Sequence, residues 1–200
     1  MISKFKILFI LTSLLFFSSC ADKNKISEIV EVDMEKQMSN AYREGYFELQ
    51  RGDVLLAAKK FNEAELLFPQ STWAPKAAIM AAYSYYKQDY YGDAIFEIER
   101  YLKTYPNHED KIYAHFLLGM SYYEQIVDET KDLKSILDAK EQFNFIIKEY
   151  PSSEFAIDAK FKIDLINEIL AAKEMYLARY YLKKTKWIPA LNRFKTMVNE

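Results

Sequence analysis

Residues 82–106 read AYSYYKQDYYGDAIFEIERYLKTYP. Within them Ala82, Ala94, Ile98, Tyr101 and Pro106 follow one another at gaps of 12, 4, 3 and 5. Gly45, Ala57, Phe61, Ala64 and Pro69 repeat all four gaps. Gly119, Ala139, Phe143, Ile146 and Pro151 keep the last three gaps and open the first to 20, an insertion of eight. Ala178, Ala190, Phe194 and Met197 repeat 12, 4 and 3. Between these marks apolar residues recur at three and four, and Ala, Glu, Lys and Leu are frequent, which is helical patterning. A period near that of a helix pair, met four times, indicates an all-α solenoid of stacked helical hairpins.

The series resembles the tetratricopeptide (TPR) repeat, and so implies a right-handed helical solenoid. The physical roles agree with the marks. A small residue on helix A lets helix B approach, and an aromatic on helix B fills the space. Pro closes the unit because it lacks an N–H and clashes with the preceding turn. Pro75 and Pro189 fall where helices begin, a position that tolerates Pro. The expected repeats cover about 38–71, 75–108, 112–153 with the insertion, and 171–200, the last incomplete. The insertion, roughly residues 126–136, carries Asp128, Glu129 and Asp132. Residues 152–170 are apolar at helical spacing, so one long helix is expected to run through them into unit four.

The chain has 200 residues, 27 basic and 29 acidic, for a net charge of −2. That balance argues against a nucleic-acid partner, which draws on a basic excess. One Cys and two His exclude a Cys-rich zinc site, and no metal or cofactor is expected. Four Gly and five Pro are too few for a turn-rich all-β fold or a Gly-rich phosphate loop. Acidic pairs such as Glu63/Glu65 and Glu97/Glu99 are expected on solvated helix faces. His108 and His115 have no visible triad partner, so no enzymatic role is expected.

The N-terminus is an address. Lys4 and Lys6 precede an apolar run, residues 7–17, that is too short to span a hydrocarbon core of about 30 Å as a helix. Ser18 and Ser19 then lead to Cys20, the one cysteine. This resembles a bacterial lipobox, with Phe17 where Leu is commoner. The resemblance implies cleavage of a signal peptide, 1–19, and lipidation of Cys20. Ala21, where the sorting rule has Asp for inner-membrane retention, implies the outer membrane. Polar residues 20–37 are expected to form the lipidated Cys and a flexible tether, ahead of the solenoid at 38–200.

In a TPR stack one face of each helix A lines a concave groove. Counted from the small residue, that face is Tyr42, Tyr46 and Leu49 in unit one, and Ile79, Tyr83 and Tyr86 in unit two. In unit three it is Tyr113, Phe116, Met120 and Tyr123. Aromatics with hydroxyl tips suit an extended peptide carrying aromatics at alternate positions, the pattern of outer-membrane barrel strands.

Lipobox, tether and repeats together resemble the BamD family of outer-membrane β-barrel assembly lipoproteins. Tyr83-Ser-Tyr-Tyr-Lys-Gln, Arg100-Tyr-Leu-Lys-Thr-Tyr-Pro-Asn-His, the place of the unit-three insertion, and Ala178-Arg-Tyr-Tyr with Trp187 and Ala190-Leu-Asn-Arg-Phe carry the likeness. The resemblance implies a non-enzymatic scaffold on the periplasmic face of the outer membrane. It implies as partners the POTRA domains of the barrel-forming subunit, other lipoproteins of the assembly complex, and unfolded outer-membrane proteins. Asn192 and Arg193 match the Asn-Arg associated with POTRA docking. The family usually has five repeats, and this sequence has marks for four. Other envelope TPR lipoproteins, serving pilus assembly or cell-wall synthesis and division, would share lipobox and repeats but not the insertion or the long helix. A soluble periplasmic chaperone would be indicated by an unlipidated Cys20.

Overall fold

The computed structural model describes residues 25–126 and 133–199. The signal peptide, Cys20 and the acidic part of the insertion lie outside them. The described residues form eight helices: α1 Lys25–Arg51, α2 Val54–Leu67, α3 Ala74–Tyr86, α4 Tyr91–Thr104, α5 Lys111–Tyr123, α6 Lys134–Glu149, α7 Glu154–Lys183 and α8 Trp187–Asn199. Each packs on its neighbours in chain order, and α3 also touches α5, as α5 touches α7. This is a TPR-like helical repeat.

The marks of the repeat are its contacts. A Cβ on Gly45 would come within 3.0 Å of the Phe61 ring, and one on Gly119 within 2.8 Å of the Phe143 ring. Both rings are fully buried. The absent side chain on helix A is therefore the space that helix B's aromatic occupies. Helices α2, α4 and α6 end at Leu67, Thr104 and Glu149, just before Pro69, Pro106 and Pro151.

The hairpin turns repeat as well. Gly52, Asp89 and Thr185 have φ of 85°, 61° and 54°. Each stands five residues before a buried alanine: Ala57, Ala94 and Ala190. One left-handed residue thus reverses the chain in three units, although only the first is glycine. Gly92 lies in the first turn of α4.

Two expectations need correction. The tether was expected over 20–37, but α1 starts at Lys25, so 25–37 is helix. The segment has no Gly or Pro, its Glu, Lys, Met and Gln are good helix formers, and Ile26, Ile29, Val30 and Met34 fall at helical spacing. The acidic pairs are not solvated throughout. Glu63 and Glu99 face water, but Glu65 and Glu97 are buried. Arg100 spans them, with two bonds to Glu65 at 2.8 and 2.6 Å and one to Glu97 at 2.8 Å. Tyr105 donates to Glu65 at 2.8 Å and Asn62 to Glu97 at 3.3 Å. The bidentate arginine ties α2 to α4 and neutralises carboxylates that would otherwise be costly to bury.

The long helix expected through 152–170 is α7, 30 residues. Ser153 caps it by accepting the Ala156 N–H at 3.1 Å. Its first half occupies a helix-A place of its own. Ala77, Ala114 and Ala159 each follow Pro69, Pro106 and Pro151 by eight residues, and all three are fully buried.

Candidate functional site

Helical spacing puts the expected groove residues on α1, α3 and α5, but at very different depths. Tyr42 is half-buried, with ring centroids 5.2 Å from both Phe61 and Trp73, edge-on to each. Its hydroxyl pKa is raised by burial, and further by Tyr46 and Asp110. Tyr46, one turn on, is 52% exposed.

The next rung differs. Ile79 is only 5% exposed and belongs to the core around Ile98, so it offers no surface to a ligand. Tyr83 and Tyr86 pack on the edge of that core. Tyr113 joins them. Burial pushes its hydroxyl pKa up, with Tyr83, Tyr86 and Asp110 adding to the shift. Phe116 lies 5.2 Å from Phe155 and 6.0 Å from Phe143, between α6 and α7. Met120 and Tyr123 pack on the same cluster, and the Lys162 ammonium sits 4.2 Å from the Tyr123 ring centroid. The middle of the stripe therefore mostly fills space between helices.

The ends are open. At the N-terminal end Glu35, Met38, Ser39, Tyr42, Arg43, Tyr46 and Trp73 line a cavity of about 520 Å³. Tyr42, Tyr46 and Trp73 supply aromatic walls, and Arg43 stands exposed at the rim. Sequence reasoning found Tyr42 and Tyr46 but missed the others. Counting the stripe back from Tyr42 by helical steps reaches Ser39, Met38 and Glu35, of which only Glu35 precedes the expected start of the solenoid at 38. Trp73, at the N-terminus of α3, comes from the next unit and has no signal in the stripe.

At the other end the register of α7 adds two residues. Phe161 and Leu165 take the places held by Ile79 and Tyr83 on α3 and by Phe116 and Met120 on α5. They are 64% and 42% exposed.

The expected docking pair is separate from this stripe. Asn192 is exposed on α8, while Arg193 places Nη1 3.2 Å from both Glu174 carboxylate oxygens on α7. The cation singled out as a partner contact already holds a carboxylate of its own chain. Among the described residues no cluster of His, Cys, Asp or Glu could hold a metal, and no helix is long and apolar enough to cross a membrane.

These features define a class: a helical-repeat protein with an aromatic-walled cavity beside its first two described hairpins. Comparison with known proteins narrows it. Residues 34–200 match the family YfiO, described as outer membrane lipoprotein, and the chain belongs to that family. It is similar to the outer membrane protein assembly factor BamD of Caulobacter vibrioides, 34% identical over 181 residues, covering 90% of this chain and 59% of that protein. The protein of the same name from Rickettsia prowazekii is 31% identical over 185 residues, 92% of this chain and 72% of its own length. That from Neisseria gonorrhoeae is 28% identical, covering 96% of this chain and 76% of itself. The chain thus spans about three fifths of the Caulobacter protein's length.

Proposed function

We propose that the chain is a non-enzymatic scaffold of outer membrane protein assembly, anchored through a lipidated Cys20 to the periplasmic face of the outer membrane. Its N-terminal mouth receives C-terminal segments of unfolded barrel proteins, and α8 docks on the POTRA domains of the barrel-forming subunit. Other lipoproteins of the same machinery are further partners. The relatives named as assembly factors support the process. The cavity between α1 and α3 is the observation that carries the substrate role. Tyr42, Tyr46 and Trp73 offer three ring faces to an aromatic side chain. Arg43 offers a cation to a terminal carboxylate. Docking through α8 would use exposed Asn192 and share or exchange the Arg193–Glu174 pair.

The test is a titration of the full chain, with Trp187→Phe so that Trp73 is the one tryptophan and is excited selectively, against a peptide from the last strand of an outer-membrane barrel. Saturable change at Trp73 is expected. Tyr46→Ala, which removes an exposed ring and no core packing, should weaken binding by about tenfold, within the range for a lost aromatic contact. Equal affinity in the variant would remove the mouth from the substrate site.

A further inference from the structure

From Met175 to Asn199 there are six basic residues and no acidic one, in a chain whose net charge is −2. Arg193 is paired with Glu174. Among the described residues no carboxylate pairs with Arg179, Lys183, Lys184 or Lys186. Three of these lysines surround the turn between α7 and α8. The equivalent turns are not basic. Arg51-Gly52-Asp53 has no net charge and Gln88-Asp89-Tyr90 is acidic, whereas Lys184-Thr185-Lys186 carries two cations. The backbone is the same in all three, with one left-handed residue.

Large apolar residues sit among those cations. Trp187 is 68% exposed and Ile188 75% exposed, at the start of α8. Tyr180 is exposed beside them, with the Lys184 ammonium 6.0 Å from its ring centroid. The chemistry of this turn is that of a water–hydrocarbon boundary. Trp and Tyr rings settle at headgroup depth, Lys stems reach up to headgroup phosphates, and each cation near an anionic surface strengthens binding about fivefold.

We propose that the α7–α8 turn is a membrane-surface contact, in which Trp187 and Ile188 enter the headgroup layer and Lys183, Lys184 and Lys186 pair with anionic phospholipid headgroups. Lipid at Cys20 and this turn would hold the stack at two separated points. The charge and exposure of the turn stand independently of that anchor.

The test reconstitutes the full chain, with Trp73→Phe so that Trp187 is the one tryptophan and is excited selectively, into vesicles of phosphatidylethanolamine and phosphatidylglycerol containing brominated acyl chains. Quenching and a blue shift of Trp187 are expected. Both should fall with salt, in vesicles of phosphatidylcholine alone, and in Lys183→Glu/Lys184→Glu/Lys186→Glu at unchanged helicity. Unquenched Trp187 on anionic vesicles, or quenching that the triple variant retains, would overturn the proposal. So would a Trp187 that ignores vesicles but shifts with soluble POTRA domains, which would assign the turn to a protein partner. Flotation at high salt reports the Cys20 anchor separately, so either idea can fail without the other.

Discussion

Gly119 and Gly92 show how one residue type does opposite work. At Gly119 an added Cβ would meet the buried Phe143 ring at 2.8 Å, while at Gly92 it would meet open space. Gly119→Ala should destabilise the stack by about 1–2 kcal/mol, because overpacking outweighs the gain in helix propensity. Gly92→Ala should stabilise by about 0.5 kcal/mol, since it only removes unfolded-state freedom. Denaturant unfolding of both variants checks the pair, and the same sign in both would contradict it. The small-residue-to-aromatic relation was legible in the sequence as fixed spacing. Depth along the stripe was not. Ile79 and Tyr46 hold neighbouring groove positions by spacing, yet one is core and the other open. The difference arises from what the adjoining helix lays over each, and spacing within one helix carries no record of that.

At the scale of elements, α5 and α6 meet through His115. Its Nδ1 lies 2.9 Å from the Gln142 amide oxygen, and its ring lies 4.1 Å from that of Phe145. Burial lowers its pKa below 6.5; the Gln142 bond opposes this and Lys111 adds to it. The neutral ring is thus favoured in the folded state, while the unfolded chain takes up the proton first. Stability is unaffected well above 6.5 and declines as pH falls below it, by at most about 1.4 kcal/mol per pH unit for one proton. His115→Gln should show a shallower acid loss than the parent in denaturant unfolding. Parallel curves would mean that His115 titrates alike in both states. Helix boundaries were partly legible. Pro marked the ends of α2, α4 and α6, because its chemistry is local. The start of α1 is less legible: Ile26, Ile29, Val30, Met34 and Met38 do fall at helical spacing, but the charged residues between them read equally as a solvated tether. Glu65 and Glu97 were misplaced for a related reason: Arg100 sits 35 residues from Glu65, and a pair at that distance is set by the stacking of units.

Across the whole molecule, α7 joins two helix-A places into one rod of 30 residues. Its first half continues the stripe of α1, α3 and α5 with Phe161 and Leu165, and its second half carries Ala178 against α8. Along the stripe Tyr46 on α1 and Phe161 and Leu165 on α7 are exposed while the centre is packed, and Asn192, Arg193 and the basic turn lie apart from it. Under the proposed function, this separation would let a substrate segment and a partner be held at different places on the stack. The most direct measurement is isolation of the protein from its own membranes in mild detergent, with its companions identified by mass spectrometry. Near-stoichiometric recovery of an outer-membrane barrel bearing POTRA domains is the predicted result. Recovery of pilus or cell-wall proteins with no barrel subunit would contradict the assembly role.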